Sequence, residues 1–147
     1  MNISPHFAIS EVSHSNYAIL HGIDNTMPDA YFSNAQNLAR YVLEPIRMHF
    51  GIPFSPESWY RCERLNNGVG GAKNSDHLIA AAADLIIPKV SLMALAEYVR
   101  DNLDFDQLIL EKKGMGWVHV SYKRNDNRRE VLRNEGDGIY LHGLSDK

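Results

Sequence analysis

The chain has little of what several broad classes of protein require. Its one cysteine, Cys62, cannot form an intramolecular disulfide. The N-terminus has no basic start followed by an apolar run, which a signal peptide needs. No stretch approaches the roughly 18 apolar residues of a membrane span. We therefore expect a protein that is made in the cytoplasm without a signal peptide and does not insert into a membrane.

Basic residues are not in excess either. Lysine and arginine number 15 against 18 aspartate and glutamate residues, so the net charge is -3 with histidine neutral. Because a nucleic-acid partner normally requires a basic face, none is expected, and neither is attraction to anionic lipid. The one basic cluster, at residues 123–129, is interrupted by Asp126 and is typical of a solvated hairpin tip.

The residues that are present are those of a globular domain. A chain of 147 residues that is 44% hydrophobic and 22% charged can form one substantial core. It contains no internal repeat, linker or low-complexity tract, and we expect a single domain over residues 1–147.

Apolar residues recur at three- and four-residue steps mainly in the first two thirds of the chain, which predicts helices there. The expected helices cover residues 9–15, 33–51, 63–67 and 91–102, and Pro45 should kink the second of them.

Alternating and aromatic segments predict strands, most of them in the last third of the chain. The expected strands cover residues 58–61, 82–87, 107–111, 117–123 and 130–134. A glycine-bearing turn joins the third and fourth of these as a hairpin. Helices followed by an antiparallel meander predict an α+β fold, with an antiparallel β-sheet flanked by helices.

Two histidines and one aspartate are the candidates for a metal site. His77 follows a polar, glycine-rich loop, and Asp84 stands in an apolar run, where a buried carboxylate needs a partner or a metal ion. Strand alternation puts His119 on one face with Trp117 and Ser121. Two imidazoles and a carboxylate are a standard ligand set for catalytic zinc. Taken singly, each residue is also typical of an ordinary surface or core position, and that alternative stays open.

Glu111 is the candidate for the base that metal-assisted hydrolysis needs. It ends a predicted strand, and the short turn after it should place it across from, or diagonal to, the stretch around His119. The alternative is a surface ion pair with one of the two lysines that follow it. Asp76 and Asp106 are weaker candidates for the base.

Arg61 is the candidate for an electrophilic group. It follows Trp59 and Tyr60 at the end of a predicted strand, where a guanidinium can polarise a carbonyl or hold a carboxylate by two hydrogen bonds. A structural arginine in an ion pair is the ordinary alternative.

Taken together, these motifs resemble the zinc D-alanyl-D-alanine carboxypeptidases. That family includes phage endolysins that cut the L-Ala–D-Glu bond, and its fold is shared by the Hedgehog signalling domain. The motif Ser-x-His-x-x-Gly-x-Ala-x-Asp maps onto residues 75–84, preceded by Tyr-Arg at residues 60–61 and followed by Trp-Val-His-Val-Ser at residues 117–121. The sequence Gly-Ile-Asp-Asn at residues 22–25 is similar to the corresponding segment of the small phage-associated members. The resemblance extends to about Lys123.

The resemblance implies roles for individual residues, and Glu111 is expected to carry the proton to the leaving amine. Trp117 is included because it shares a strand face with a ligand. The expected zinc ligands are His77, Asp84 and His119, and the expected substrate-binding residues are Arg61, Ser75 and Trp117.

The chain also departs from the family pattern at several positions. Ala80 replaces the motif glycine, and Cys62 replaces the usual serine after the Tyr-Arg pair. Many members place the catalytic acid three residues before the last histidine, where this chain has Gly116. Other members carry a glutamate just before the turn that leads to the histidine strand, and Glu111 matches that arrangement.

We therefore expect a zinc metallopeptidase whose partner is the peptidoglycan stem peptide and whose site of action is the bacterial cell wall. Both D,D-carboxypeptidase and L-Ala–D-Glu endopeptidase action are compatible with these motifs. Two alternatives stay open, namely a non-catalytic module that zinc stabilises for binding to cell wall or protein, and a structural component of a phage particle.

Overall fold

Helices form much of the N-terminal half of the chain, and one more follows in the C-terminal half, in the computed structural model, which describes residues 1–146. A two-stranded ribbon, β1 (Asn2–Ser4) and β2 (Phe7–Ala8), precedes the first helix. The α-helices are α1 (Ile9–Ser13), α2 (Asn16–Leu20), α3 (Phe32–Leu38), α4 (Glu44–Phe50), α5 (Glu63–Gly68) and α6 (Leu92–Asn102). Short 3-10 turns lie at Asp29–Tyr31 and Asp76–Ile79. Among these residues, no helix combines the length and the apolar character that crossing a bilayer requires.

The C-terminal half forms a five-stranded sheet in the order β3–β5–β4–β6–β7. The strands are β3 (Ala82–Leu85), β4 (Gln107–Glu111), β5 (Trp117–Ser121), β6 (Glu130–Asn134) and β7 (Tyr140–His142). Helix α6 packs on β4 and β5. The prediction of an α+β fold with a sheet flanked by helices is therefore confirmed.

The sheet is mixed, and the expectation of a purely antiparallel meander is wrong for one pair of strands. Strands β3, β5 and β4 pair antiparallel, as do β6 and β7, but β6 lies parallel to β4. The reason lies at the start of β4, where buried Asp106 binds the backbone N–H and the guanidinium of Arg128. These bonds return the chain to the beginning of β4, so β6 runs in the same direction as β4.

The two faces of the sheet carry different kinds of side chain. Leu85, Leu108, Leu110, Val118 and Val120 are buried and belong to the hydrophobic core. Because side chains alternate along a strand, the residues between them point to the opposite face. That second face carries the polar residues of the cleft described below.

Helices α3 and α4 form one long helical segment that is interrupted by a π-turn at Ala39–Leu43. Pro45 has no N–H, so the carbonyl of Tyr41 loses its usual helical partner, and the wider π-turn precedes that point. The segment ends at Gly51, whose φ of 66° is left-handed, as expected. It begins at Phe32, one residue before the predicted start, because the 3-10 turn leads directly into it.

Several predicted boundaries were wrong. Residues 58–61 form no strand, and only Ser58 makes an isolated bridge, to Asp84. Strand β3 ends at Leu85 and β5 at Ser121, each two residues earlier than predicted. The predicted helix at residues 9–15 is shorter, because Ser15 caps a separate helix, α2, by accepting the N–H of Ala18 at 3.1 Å.

The ion pair between buried Asp106 and the exposed Arg128 should make stability depend on pH. Burial raises the pKa of Asp106, but hydrogen bonds from Arg128 and the charge of Lys123 outweigh burial, so the pKa lies below its usual value. The stabilisation is then fully present above the unfolded-state pKa of about 4. It is lost as the pH falls through the lower folded-state pKa.

In zinc-free protein, Asp106→Asn should lower the free energy of unfolding at pH 7 by about 2 kcal/mol, because charge-assisted bonds in a buried site are lost. Urea unfolding at pH 7 and at pH 3 measures the difference, which should shrink at the lower pH. Asp101→Asn, at an exposed carboxylate paired with Arg100, is the matched control and should change little. An equal difference at both pH values would contradict this account.

Candidate metal centre and its cleft

Three predicted ligand residues meet at the edge of the sheet. His77 lies in the 3-10 turn before β3, Asp84 on β3 and His119 on β5. The β3–β5 register pairs Asp84 directly with His119. Nε2 of His77 and Nδ1 of His119 lie 3.2 Å and 3.0 Å from Oδ1 of Asp84. All three ligand atoms lie within 4.8 Å of one another, which makes the group a possible metal site.

Local hydrogen bonds hold His77 in this orientation. The Oγ of Ser75 accepts the backbone N–H of His77 at 3.1 Å and caps the 3-10 turn. Nδ1 of His77 lies 2.6 Å from the carbonyl oxygen of Trp59, and the imidazole is almost fully buried. Ala80 then turns the chain into β3 with a φ of 60°, the left-handed conformation that glycine favours. The alanine at the motif glycine therefore keeps a glycine-like backbone.

The hydrogen bonds of His77 indicate that a cation belongs beside it. A carbonyl oxygen only accepts, so Nδ1 of His77 must carry the proton that bonds Trp59. In the neutral ring, Nε2 is then an acceptor, and it faces a second acceptor, the carboxylate of Asp84. The contact is favourable only with a positive charge between the two atoms, either a second imidazole proton or a metal ion.

The donor set and its spacing fit zinc. Zinc prefers imidazole nitrogen and carboxylate oxygen at about 2 Å in tetrahedral geometry, so two of its ligand atoms lie about 3.3 Å apart. The contacts that Asp84 makes with His77 and His119 are close to this spacing. The donor types and these two spacings therefore fit the ion.

The carboxylate of Asp84 is held in its ionised form. Burial raises its pKa, but the charge of His77 and hydrogen bonds from His119 and His77 outweigh burial. The pKa of Asp84 therefore lies far below its usual range. An ionised carboxylate is the form that binds a metal ion.

The three residues line a cleft of about 770 Å³, which also contains the predicted base. Glu111 is only 7% exposed. It pairs with Trp117 in the β4–β5 register and is thus diagonal to His119, as predicted. Within residues 1–146, Glu111 forms neither of the ion pairs considered as the alternative, and Lys112 instead binds Glu135, with Nζ 3.0 Å from Oε2.

Arg61 lines the same cleft and has an unused donor. Its backbone N–H binds the carbonyl of His77 at 3.0 Å, and the side chain of Asn25 fixes the residues on either side of it. Its Nε is buried without a hydrogen-bond partner, and its guanidinium makes no ion pair within residues 1–146. Burial lowers the pKa of Arg61 against the attraction of Asp84, but arginine stays charged in proteins. The structural ion pair considered as an alternative is therefore not formed.

The remaining candidates divide into two groups. Ser75 and Trp117 line the cleft, and so does Asp76, whose carboxylate lies 3.7 Å from Nζ of Lys123. Contact of Ser75 and Trp117 with substrate stays a prediction. Asp106, the other weak candidate for the base, is buried in its ion pair with Arg128 and does not line the cleft.

Some residues of the cleft were not anticipated from the sequence, and Asn134 and Tyr140 are two of them. Asn134 at the end of β6 and Tyr140 on β7 complete its wall. The hydroxyl of Tyr140 donates to Oε2 of Glu111 at 3.1 Å. The signal available was the alternation of residues 140–142 after a glycine-rich turn, but three residues are too few for a periodicity argument.

Comparisons with known proteins agree with this geometry. A family model described as Peptidase M15 matches residues 5–121, which is more than half of the chain. The matched region contains Arg61, the three possible metal ligands and Glu111. No curated protein gives a significant match.

Proposed function

We propose that this chain, which belongs to the Peptidase M15 family, is a zinc-dependent peptidase that hydrolyses peptidoglycan stem peptides. The observation that carries the proposal is the meeting of His77, Asp84 and His119 beside buried Glu111 in one cleft. Zinc, when bound, lowers the pKa of a coordinated water to near 7 and polarises a carbonyl. The protein's own residues supply the remaining steps.

Glu111 is proposed as the general base and then the general acid. Its carboxylate takes a proton from the attacking water and later gives a proton to the departing amine. Its burial supports this role, because a carboxylate largely shielded from bulk water interacts more strongly with groups bound in the cleft. No cation within residues 1–146 forms a salt bridge with it, so its charge is not committed elsewhere.

Arg61 is proposed to bind the oxygen on which negative charge develops, or a carboxylate of the substrate. A preorganised donor in a dry site is worth far more than the same donor in water. The buried Nε of Arg61 has no protein partner, and a buried donor without a partner is costly. Substrate binding would satisfy that donor.

The protein is proposed to act on the stem peptide either as a D,D-carboxypeptidase or as an L-Ala–D-Glu endopeptidase. Its proposed site of action is the bacterial cell wall. Support comes from the motifs over residues 60–61, 75–84 and 117–121. The volume of the cleft also suits a short peptide. The cation of Arg61 suits the carboxylates that stem peptides carry.

The direct test is mass spectrometry of stem peptides after incubation with zinc-loaded protein. Loss of one terminal alanine indicates carboxypeptidase action, and separation of L-Ala from the rest indicates endopeptidase action. The same protein treated with a chelator is the control and should be inactive. Stoichiometric zinc with no cleavage of any stem peptide would contradict the proposal and would favour a zinc-stabilised binding module.

Arg61→Lys should lower kcat/KM by about 100-fold, since lysine keeps the charge but not the planar fork of donors. Zinc content should not change, because Arg61 is not among the three ligands. Steady-state kinetics on a stem peptide and metal analysis measure the two effects. Arg64→Lys, at an exposed position of α5, is the matched control. An unchanged kcat/KM in Arg61→Lys would remove this arginine from the mechanism.

A further inference from the structure

Glu111 depends on one other side chain for its hydrogen bonding. The carboxylate belongs to a residue that is 7% exposed, and within residues 1–146 the hydroxyl of Tyr140 is the only side-chain group that bonds it, at 3.1 Å. A glutamate side chain has three rotatable bonds, so burial alone does not select one orientation of its oxygens.

The register of the sheet explains how Tyr140 reaches Glu111. Glu111 pairs with Asn134 across β4 and β6, and Asn134 pairs with Tyr140 across β6 and β7. Paired residues point to the same face, so these three side chains form a row across the sheet. Trp117, which pairs with Glu111 on the other side, extends the row to β5. Two strand spacings separate Tyr140 from Glu111 by about 10 Å, which a tyrosine and a glutamate together can span.

Hydrogen bonds within the hairpin of β6 and β7 hold the segment that carries Tyr140. Nη1 of Arg133 binds the carbonyl of His142 at 2.7 Å, and its Nη2 pairs with Asp146. The Oδ1 of Asn134 accepts the N–H groups of Gly136 and Gly138 at 2.9 Å and 3.2 Å, which orders the turn before β7. The hydroxyl of Tyr140 is therefore held in place and does not belong to a loose tail.

Tyr140 is also suited to act as a donor. Partial burial raises its pKa, and the charge of Glu111 raises the pKa further, so the phenol keeps its proton at neutral pH. The donor position suits an ionised carboxylate, which only accepts. The bond to Oε2 leaves Oε1 of Glu111 available for proton transfer.

We propose that Tyr140 is a positioning residue whose hydroxyl holds the Glu111 carboxylate toward the cleft, an inference that rests on the proposed function of Glu111 as the base. Tyr140 lies beyond residues 5–121, the part of the chain that the family model matches. The hairpin of β6 and β7 thus adds to the site a component from outside the matched region.

Tyr140→Phe removes the hydroxyl and keeps the ring. We expect kcat to fall about 10-fold while KM stays within about 2-fold, because a base must be held within hydrogen-bond reach of its proton. In a Glu111→Gln background the same change should have no further effect on kcat, since Tyr140 acts only through Glu111. Tyr98→Phe, on α6 with its hydroxyl near Pro45, is the matched control and should leave kcat unchanged.

A second readout does not require activity. In zinc-free protein, urea unfolding of wild type, Tyr140→Phe, Glu111→Ala and the double variant forms a thermodynamic cycle. The loss of stability in the double variant should be smaller than the sum of the single losses. Additive losses would show that the two side chains do not interact and would overturn the proposal.

The outcomes separate this proposal from the proposed function. A wild-type protein that binds zinc and cleaves no stem peptide overturns the proposed function, together with the role of Tyr140 that rests on it. An active wild type with unchanged kcat in Tyr140→Phe overturns the role of Tyr140 alone. A fall in kcat that persists equally in the Glu111→Gln background also overturns it.

Discussion

Glu111→Gln is expected to lower the rate of stem-peptide cleavage by about 1000-fold and to leave the zinc content of the protein unchanged. The amide has nearly the shape of the carboxylate but cannot take up a proton from water at neutral pH. Zinc should remain because Glu111 is not one of the three residues whose ligand atoms converge. Metal analysis and single-turnover kinetics on the same preparation measure both quantities.

The control for this variant is Glu135→Gln. Glu135 lies close in the fold, because it binds Lys112, the residue after Glu111, but it is exposed and does not line the cleft. Its replacement should change neither zinc content nor turnover. Unchanged turnover in Glu111→Gln would remove Glu111 from the mechanism, and loss of zinc would instead make Glu111 a ligand.

The sequence was informative about the site because strand geometry converts spacing into position. An alternating strand that contains His119, and a short turn between it and Glu111, leave few places for the two side chains. The register confirms the diagonal placement. The prediction that His77 and Asp84 converge also needed the resemblance. His77 follows a loop, and a loop has no periodicity from which the direction of a side chain can be predicted.

Parts of the fold that depend on distant contacts were not predictable in the same way. Residues 58–61 have the aromatic content of a strand, but they are held by the side chain of Asn25, by Val12 and by His77. The parallel direction of β6 likewise depends on the ion pair between buried Asp106 and Arg128. Neither arrangement has a local sequence signature, because the partners are far apart along the chain.

The contribution of the C-terminal hairpin was missed for a different reason. Strand β7 has only three residues, and all of them are exposed. Its sequence therefore has no alternation of apolar and polar residues that would show which face Tyr140 lies on. The resemblance ends near Lys123, and the family match ends at residue 121. Tyr140 becomes recognisable as part of the site only after the β4–β6–β7 register places it beside Glu111.

Asp84→Asn is expected to lower zinc affinity by at least about 100-fold, because the anionic ligand becomes neutral. Zinc binding to the native state alone stabilises the wild type by about 4 kcal/mol at a free zinc concentration 1000 times Kd. At the same zinc concentration, a 100-fold weaker site keeps no more than about 1.4 kcal/mol of that stabilisation. Calorimetric unfolding with added zinc and with a chelator measures it, and Asp76→Asn, one residue from His77 in the same cleft, is the control that should keep it.

The metal-free form of this variant gives the sharper test. Without zinc, the wild type places Nε2 of His77 against a carboxylate acceptor at 3.2 Å, while Nδ1 is committed to the carbonyl of Trp59. Asparagine can instead donate its own N–H to Nε2. The zinc-free variant therefore keeps a hydrogen bond to His77, although it loses the charge that His77 and His119 stabilise in the wild type. Its stability should be only slightly lower than that of zinc-free wild type. A variant that retains the full zinc-dependent stabilisation would show that Asp84 is not a ligand. A zinc-free variant much less stable than wild type would show that the carboxylate has a structural role instead.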